Sequence, residues 1–169
     1  MYVVSVPGVD ECRALLSYEG PGRHLVTDLK YRNDRRALSR LADAVAGMLQ
    51  PPSDAVITWI PTTTARRHRR GFDQAALLAR AVARRWHRPC QGVLRRDDGP
   101  AQTGRSLADR RQGVPLVVRR VGSITAAVVL VDDVVTTGAT LHSGATALRG
   151  AGAPWIGAVA VARTPRGLS

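Results

Sequence analysis

The stretch from Val128 to Leu141, VVLVDDVVTTGATL, constrains this chain more than any other. Four apolar residues in succession read as a strand covered on both faces, because a half-exposed strand would alternate. The expected strand runs over residues 126–131 and delivers Asp132 and Asp133 at its C-terminal tip. A short threonine and glycine loop then opens a helix whose apolar face is Leu141, Ala145 and Leu148, with Gly150 and Gly152 as its terminating glycines. The free N–H groups and the positive dipole end at such a junction form an anion site. Gly138 lets the backbone approach a ligand and adopts φ angles that other residues resist. The hydroxyls of Thr136, Thr137 and Thr140 can donate to phosphate oxygens. Two carboxylates beside that loop would repel a phosphate, so they need another target, either vicinal sugar hydroxyls or a hydrated Mg²⁺. One ligand with a phosphate, a ribose and a metal-bound diphosphate meets all of these demands.

The remaining chain fits an α/β architecture around that strand. Ala37, Leu38, Leu41, Ala44, Val45 and Leu49 recur at helical spacing over 34–49, and Pro51-Pro52 breaks the pattern. Residues 55–60 are a short β-rich run ended by Pro61. A basic loop covers 62–71, and Asp73 precedes a second helical pattern through Trp86. Residues 90–94 read as a brief strand, and 95–123 as a polar, arginine-rich, poorly periodic flap. A last apolar run spans Trp155 to Ala162. Apolar runs without alternation, separated by helices, imply a mainly parallel sheet flanked by helices.

Length and composition agree with one domain over 1–169. At 169 residues with 44% apolar and 22% charged side chains, the chain can bury a core without metal or disulfide staples. Cys12 and Cys90 form no ligand or disulfide pattern, and they fit packed thiols in a reducing cytosol. No apolar stretch approaches the roughly 18 residues of a membrane span, and no export signal opens the chain, so a cytoplasmic location is expected. The net charge of +12 is unevenly spread. Residues 1–60 balance seven cations against seven anions, whereas 61–120 carry fifteen arginines against four aspartates. A positive field confined to the middle third suits a polyanionic small molecule or a nucleic-acid backbone. Read alone, Arg66, Arg67, Arg105, Arg110 and Arg111 also fit a solvated surface. Neither G-x-x-x-x-G-K-[ST] nor G-x-G-x-x-G occurs, which argues against a triphosphatase or a dinucleotide enzyme.

The acidic pair followed by Thr-Thr-Gly-x-Thr resembles the ribose-5-phosphate signature of type I phosphoribosyltransferases, which bind phosphoribosyl pyrophosphate (PRPP). The wider chain, roughly residues 25–163, resembles the ComF-like branch linked to competence and DNA uptake. The matching stretches are Leu29 to Arg32, Arg70 to Ala75, Gln102 to Gly104 with Arg110 and Arg111, and Ala162-Arg163. The cysteine-rich, zinc-binding segment common in that family has no counterpart here. Asp73 and Gly113 stand where asparagines are usual, and Arg105 where an apolar residue is usual.

The resemblance implies a type I phosphoribosyltransferase-like fold with a small hood or flap over the site. It also implies Mg²⁺-dependent displacement of pyrophosphate from PRPP by an unidentified nitrogen acceptor. In that scheme Asp132 and Asp133 are catalytic, hold the ribose, and place Mg²⁺ through water. Thr136, Thr137, Gly138, Ala139 and Thr140 bind the 5-phosphate, and Thr62, Thr63, Thr64, Arg66 and Arg67 bind the diphosphate. Arg105, Arg110 and Arg111 belong to the flap. The alternative is a non-catalytic PRPP-binding or competence protein that contacts single-stranded DNA through its basic third. Relatives of this type are frequently homodimers.

Overall fold

The computed structural model describes residues 1–32, 35–63, 72–96, 115–119 and 123–165. Its elements are β1 (Tyr2–Val3), β2 (Glu11–Ser17), α1 (Gly20–Arg32), α2 (Arg35–Ala46), β3 (Val56–Trp59), α3 (Gln74–Trp86), β4 (Leu94–Arg96), β5 (Leu116–Val118), β6 (Val128–Val135), α4 (Ala139–Gly150) and β7 (Ile156–Arg163). Five strands form one sheet in the order β1-β2-β7-β6-β3, in which β2, β7, β6 and β3 run parallel and β1 is antiparallel. β4 and β5 make a separate antiparallel pair. The mainly parallel sheet flanked by helices is therefore present.

Both faces of the sheet are covered, which is why its strands lack alternation. Against one face, Leu41, Val45, Leu78 and Val82 of α2 and α3 pack on Ile57, Val129, Val131, Val159 and Val161. Against the other, Leu141, Ala145 and Leu148 of α4 pack with Leu94 and Leu116 on Val128, Leu130, Ile156 and Ala158. Side chains stitch the end of the sheet opposite the strand tips. Asp54 accepts from the Ala127 amide (3.2 Å), and Asp10 accepts from the Ile156 amide (2.7 Å) and from Arg149.

Several sequence expectations shift. β6 does not stop at Val131 but continues to Val135, because β7 still offers Ala160, Ala162 and Arg163 as partners. The aspartates expected at the strand tip are thus inside the strand, and Val134 and Val135 belong to it as well. Residues 90–94 give only an isolated bridge between Cys90 and Ile57, and the strand starts at Leu94. The Ile57 amide bonds to the Pro89 carbonyl and the Gln91 amide bonds back to Ile57, after which the chain turns away. α2 ends at Ala46, short of Leu49. Gly150 is the last residue of α4 and Ala151 its cap, so only Gly152, at φ 103°, takes the left-handed conformation. The ends of the irregular 95–123 stretch are regular: β4 and β5 pair Leu94 with Val118 and Arg96 with Leu116.

The N-terminal third holds elements that the sequence reading did not identify. β2 pairs with β7 over Glu11 to Ser17, and Cys12 and Ala14 on it are buried. Burial, with a smaller contribution from the charge of Asp132, pushes the Cys12 thiol up to about 12 from 9.0. Burial likewise raises the half-buried Cys90 thiol. Both therefore stay protonated and unreactive at neutral pH.

Two outcomes follow. Leu130→Ala, which empties a fully buried site between sheet and α4, should cost about 2–5 kcal/mol in urea unfolding. Cys12 keeps its proton in the folded state while the unfolded thiol loses it above about pH 9, so stability should decline as pH rises from 9 toward 12. Urea midpoints measured between pH 8 and 11 should fall less steeply in Cys12→Ala than in the parent.

Candidate functional site

A cleft of about 380 Å³ lies at the carboxyl ends of the parallel strands, the edge where open α/β sheets bind ligands. It is lined by Asp132, Asp133 and Val134 from β6, Thr136 from the following turn, Thr140 from the first turn of α4, and Pro61 and Thr62 beyond β3. The cleft exists because β3 leaves the sheet early. Its pairing with β6 ends at Trp59 and Val131, and the last link is the Ile60 amide to the Val131 carbonyl (3.0 Å). Pro61 cannot donate to the ladder and turns the chain out. From Asp132 onward β6 is paired on the β7 side, and its other side opens on the cleft.

The acidic pair and the loop after it stand at this cleft. Asp132 and Asp133 are both half-buried and both line the cleft, and Asp132 accepts the Asp133 amide at 2.8 Å. Thr136 and Thr137 are exposed, Gly138 is buried, and Ala139 and Thr140 are half-buried. Gly138 sits at φ 80° as the N-cap of α4 and supplies no side-chain cap to the helix amides. The positive φ favours glycine, and a Cβ there would also crowd Val6 at 3.2 Å. The Ala139 amide donates to Thr137 Oγ1 (3.3 Å), which tightens the turn.

The diphosphate candidates are only partly described. Thr62 lines the cleft, and Thr63 is half-buried beside it in sequence. Thr64, Arg66 and Arg67 lie outside the described residues, as do Arg105, Arg110 and Arg111. Asp73 fixes where the basic loop begins and ends. Its Oδ1 caps α3 by accepting from Ala76 (3.4 Å), while its Oδ2 accepts the Thr62 amide (3.1 Å). An asparagine could keep the Ala76 cap through its single carbonyl oxygen, but its amide nitrogen could not accept from Thr62, so the two bonds together need the carboxylate.

Tyr18, Gln74 and Arg96 also line the cleft and were not singled out from sequence. Arg96 Nε donates to the Pro61 carbonyl (2.8 Å), which carries the β4–β5 pair to the cleft wall. Nothing local distinguishes Arg96 from the other arginines of its stretch; only the strand pairing does. Gln74 is 5% exposed, and its Oε1 has no hydrogen-bond partner.

Among the described residues no cluster of three or more histidine, cysteine or acidic side chains forms a metal cage. The donor set is instead two carboxylates in an open cleft. That suits Mg²⁺, which keeps its waters and shares a ligand's phosphates. Among the described residues no helix is long and apolar enough to cross a membrane.

Asp73→Asn, which keeps one of the two acceptors, should cost about 0.5–1.5 kcal/mol, whereas Asp73→Ala, which loses both, should cost about 1–3 kcal/mol. Urea unfolding of the two variants checks this.

No family model matches the chain. Competence protein ComFC of Bacillus subtilis (strain 168) is 27% identical over 140 residues, covering 80% of this chain and 57% of that protein. The chain thus spans little more than half the length of that curated relative. Among solved structures, glutamine phosphoribosylpyrophosphate amidotransferase from B. subtilis, complexed with ADP and GMP, is similar with a TM-score of 0.54 at 21% identity. The allosteric regulatory enzyme of purine biosynthesis is similar with the same TM-score at 22% identity. Each covers 80% of this chain, and this chain covers 30% of each. At such identities the likeness is one of fold. The sheet order, the acidic strand end and these similarities agree on the fold: the chain has the type I phosphoribosyltransferase fold and is similar in sequence to ComFC.

Proposed function

We propose that the cleft binds PRPP and that the protein transfers its phosphoribosyl group to a nitrogen acceptor, with release of pyrophosphate. The observation that carries this reading is the convergence of Asp132, Asp133, Thr62, Thr136 and Thr140 on one cleft at the strand ends. Acids and phosphate-binding groups side by side need a ligand that presents both a diol and phosphates.

In this reading the residues 136–140 hold the 5-phosphate through uncapped helix amides and threonine hydroxyls. Asp132 and Asp133 accept hydrogen bonds from the ribose hydroxyls, which fixes the sugar with C1 facing the acceptor. Mg²⁺ bound with the diphosphate, held through water by the two aspartates, would neutralise charge on the leaving group. Thr62, Thr63, Thr64, Arg66 and Arg67 grip the diphosphate, and Arg105, Arg110 and Arg111 draw off charge as the C1–O bond breaks. The acceptor nitrogen's lone pair forms the new bond at C1 while the electron pair of the broken bond leaves with pyrophosphate. The transition state resembles an oxocarbenium ion, as in glycosidic cleavage, so the protein contributes positioning and charge stabilisation.

A second reading retains the binding and drops the turnover. It is favoured by the similarity to a protein named for competence and by the eleven excess positive charges between residues 61 and 120. In this reading the basic third contacts single-stranded DNA.

Mg²⁺ with PRPP should raise the melting temperature, and saturation at 100 times Kd should add about 2.7 kcal/mol. Asp133→Asn should lose most of that gain. No stabilisation of the parent would sink both readings together. Pyrophosphate release across a panel of purines, pyrimidines and simple amines separates them. Release with one acceptor establishes transfer, and binding without release leaves the second reading. Binding to single strands should then weaken with salt at a log–log slope of about −0.7 per phosphate contacted.

A further inference from the structure

A second cavity, of about 640 Å³, opens between the N-terminal strand and the C-terminal end of β7, and of its lining residues only Thr136 is shared with the cleft. Its distinctive group is Arg163. Most arginines with described interactions have polar partners: Arg13 and Arg149 pair with carboxylates, Arg85 with Asp43, and Arg96 with a carbonyl. Arg163 has none. Its Nε is buried with no hydrogen-bond partner, and its guanidinium carbon lies 4.4 Å from the centroid of the Tyr2 ring. No acidic side chain lines the cavity among the described residues.

These facts combine in one direction. A buried, unpaired N–H of a charged group costs free energy unless something accepts from it. Tyr2 does not accept; its ring face lies against the guanidinium as a cation–π contact, which restrains the side chain in advance. β7 holds the backbone from both sides, since Arg163 is in register with Ser17 and Val135. A planar, restrained guanidinium matches an oxyanion through two parallel hydrogen bonds. Thr164 and Ser5 add hydroxyls, while Val3, Val135 and Pro165 supply apolar wall. The volume falls within the range of small-molecule pockets.

We propose that Arg163, held against the Tyr2 ring, is the receptor of a second binding site for a small organic oxyanion, a carboxylate or phosphate monoester with an apolar body. Thr136 and Thr137 of the turn assigned to the 5-phosphate also line this cavity, so the two sites adjoin, and it is the dependence on Arg163 that distinguishes this one.

The test follows the Nε–Hε signal of Arg163 in ¹⁵N-edited spectra, assigned by its loss in Arg163→Gln. Benzoate, phenyl phosphate and neutral benzyl alcohol are the probes. Saturable movement of that signal with benzoate or with phenyl phosphate supports the site, and the tighter of the two identifies the headgroup. Movement by neither, or equal movement by benzyl alcohol, overturns it. Binding measured by calorimetry should weaken at least tenfold in Arg163→Gln. Ser5→Glu places a carboxylate at the exposed lip without touching the core, so it should weaken binding to a similar degree; unchanged affinity in both variants overturns the proposal. Asp133→Asn should bind the probe as the parent does, and loss of binding there would place the anion in the cleft instead.

Discussion

The pairing of β6 with β7 past the point where β3 departs is the interaction on which the rest of the molecule depends. An aspartate pair has poor strand propensity, and residues 132 and 133 would be expected to fall into a turn. They remain extended because Ala160 and Ala162 on β7 still supply a ladder. That one-sided pairing fixes the direction of the acids, places the Thr136–Thr140 turn one step beyond them, and leaves their other side open where β3 has gone. Had β3 continued beyond Ile60, its backbone would occupy the cleft. Pro61 is therefore as much a determinant of the site as the acids are.

The acidic strand end was legible in the sequence because its cause is local. Four buried residues, two acids and a glycine at a helix start carry their own physical reasons. Gly138 at φ 80° and the buried Leu141, Ala145 and Leu148 behave as the pattern implied. The N-terminal elements were not legible. β2 is a mixed run, Glu-Cys-Arg-Ala-Leu-Leu-Ser, whose status comes from its parallel partner nearly 150 residues later. Such a partner leaves no local signature. Likewise the sequence places the end of β6 at Val131, where the continuous apolar run stops, whereas the ladder to β7 carries it on to Val135. Arg96 and Gln74 entered the cleft wall through tertiary placement alone.

The arginine excess divides by environment. Arg85 on α3 reaches Asp43 (2.7 Å) and the Ser39 hydroxyl (2.6 Å) on α2, so it ties the two helices of one face together. Arg80 lies 5.7 Å from the Trp59 ring centroid and shields the outer edge of β3. These are structural uses, and they remove part of the charge from any account based on polyanion binding. Arg96 and Arg163, by contrast, stand at the carboxyl edge of the sheet, where ligands of this fold class are met.

The β4–β5 pair has a consequence for how such a protein can diversify. Leu94 and Leu116 are both buried under α4, and the Leu116 amide is held by Ser143 of that helix (2.9 Å). The two ends of the intervening chain are thereby moored to the scaffold whatever lies between them. Lengthening such a moored segment costs only slowly growing closure entropy, about 0.6 kcal/mol for each doubling. The sheet can therefore stay constant while the length and composition of the stretch between these two strands change, without renegotiating the core.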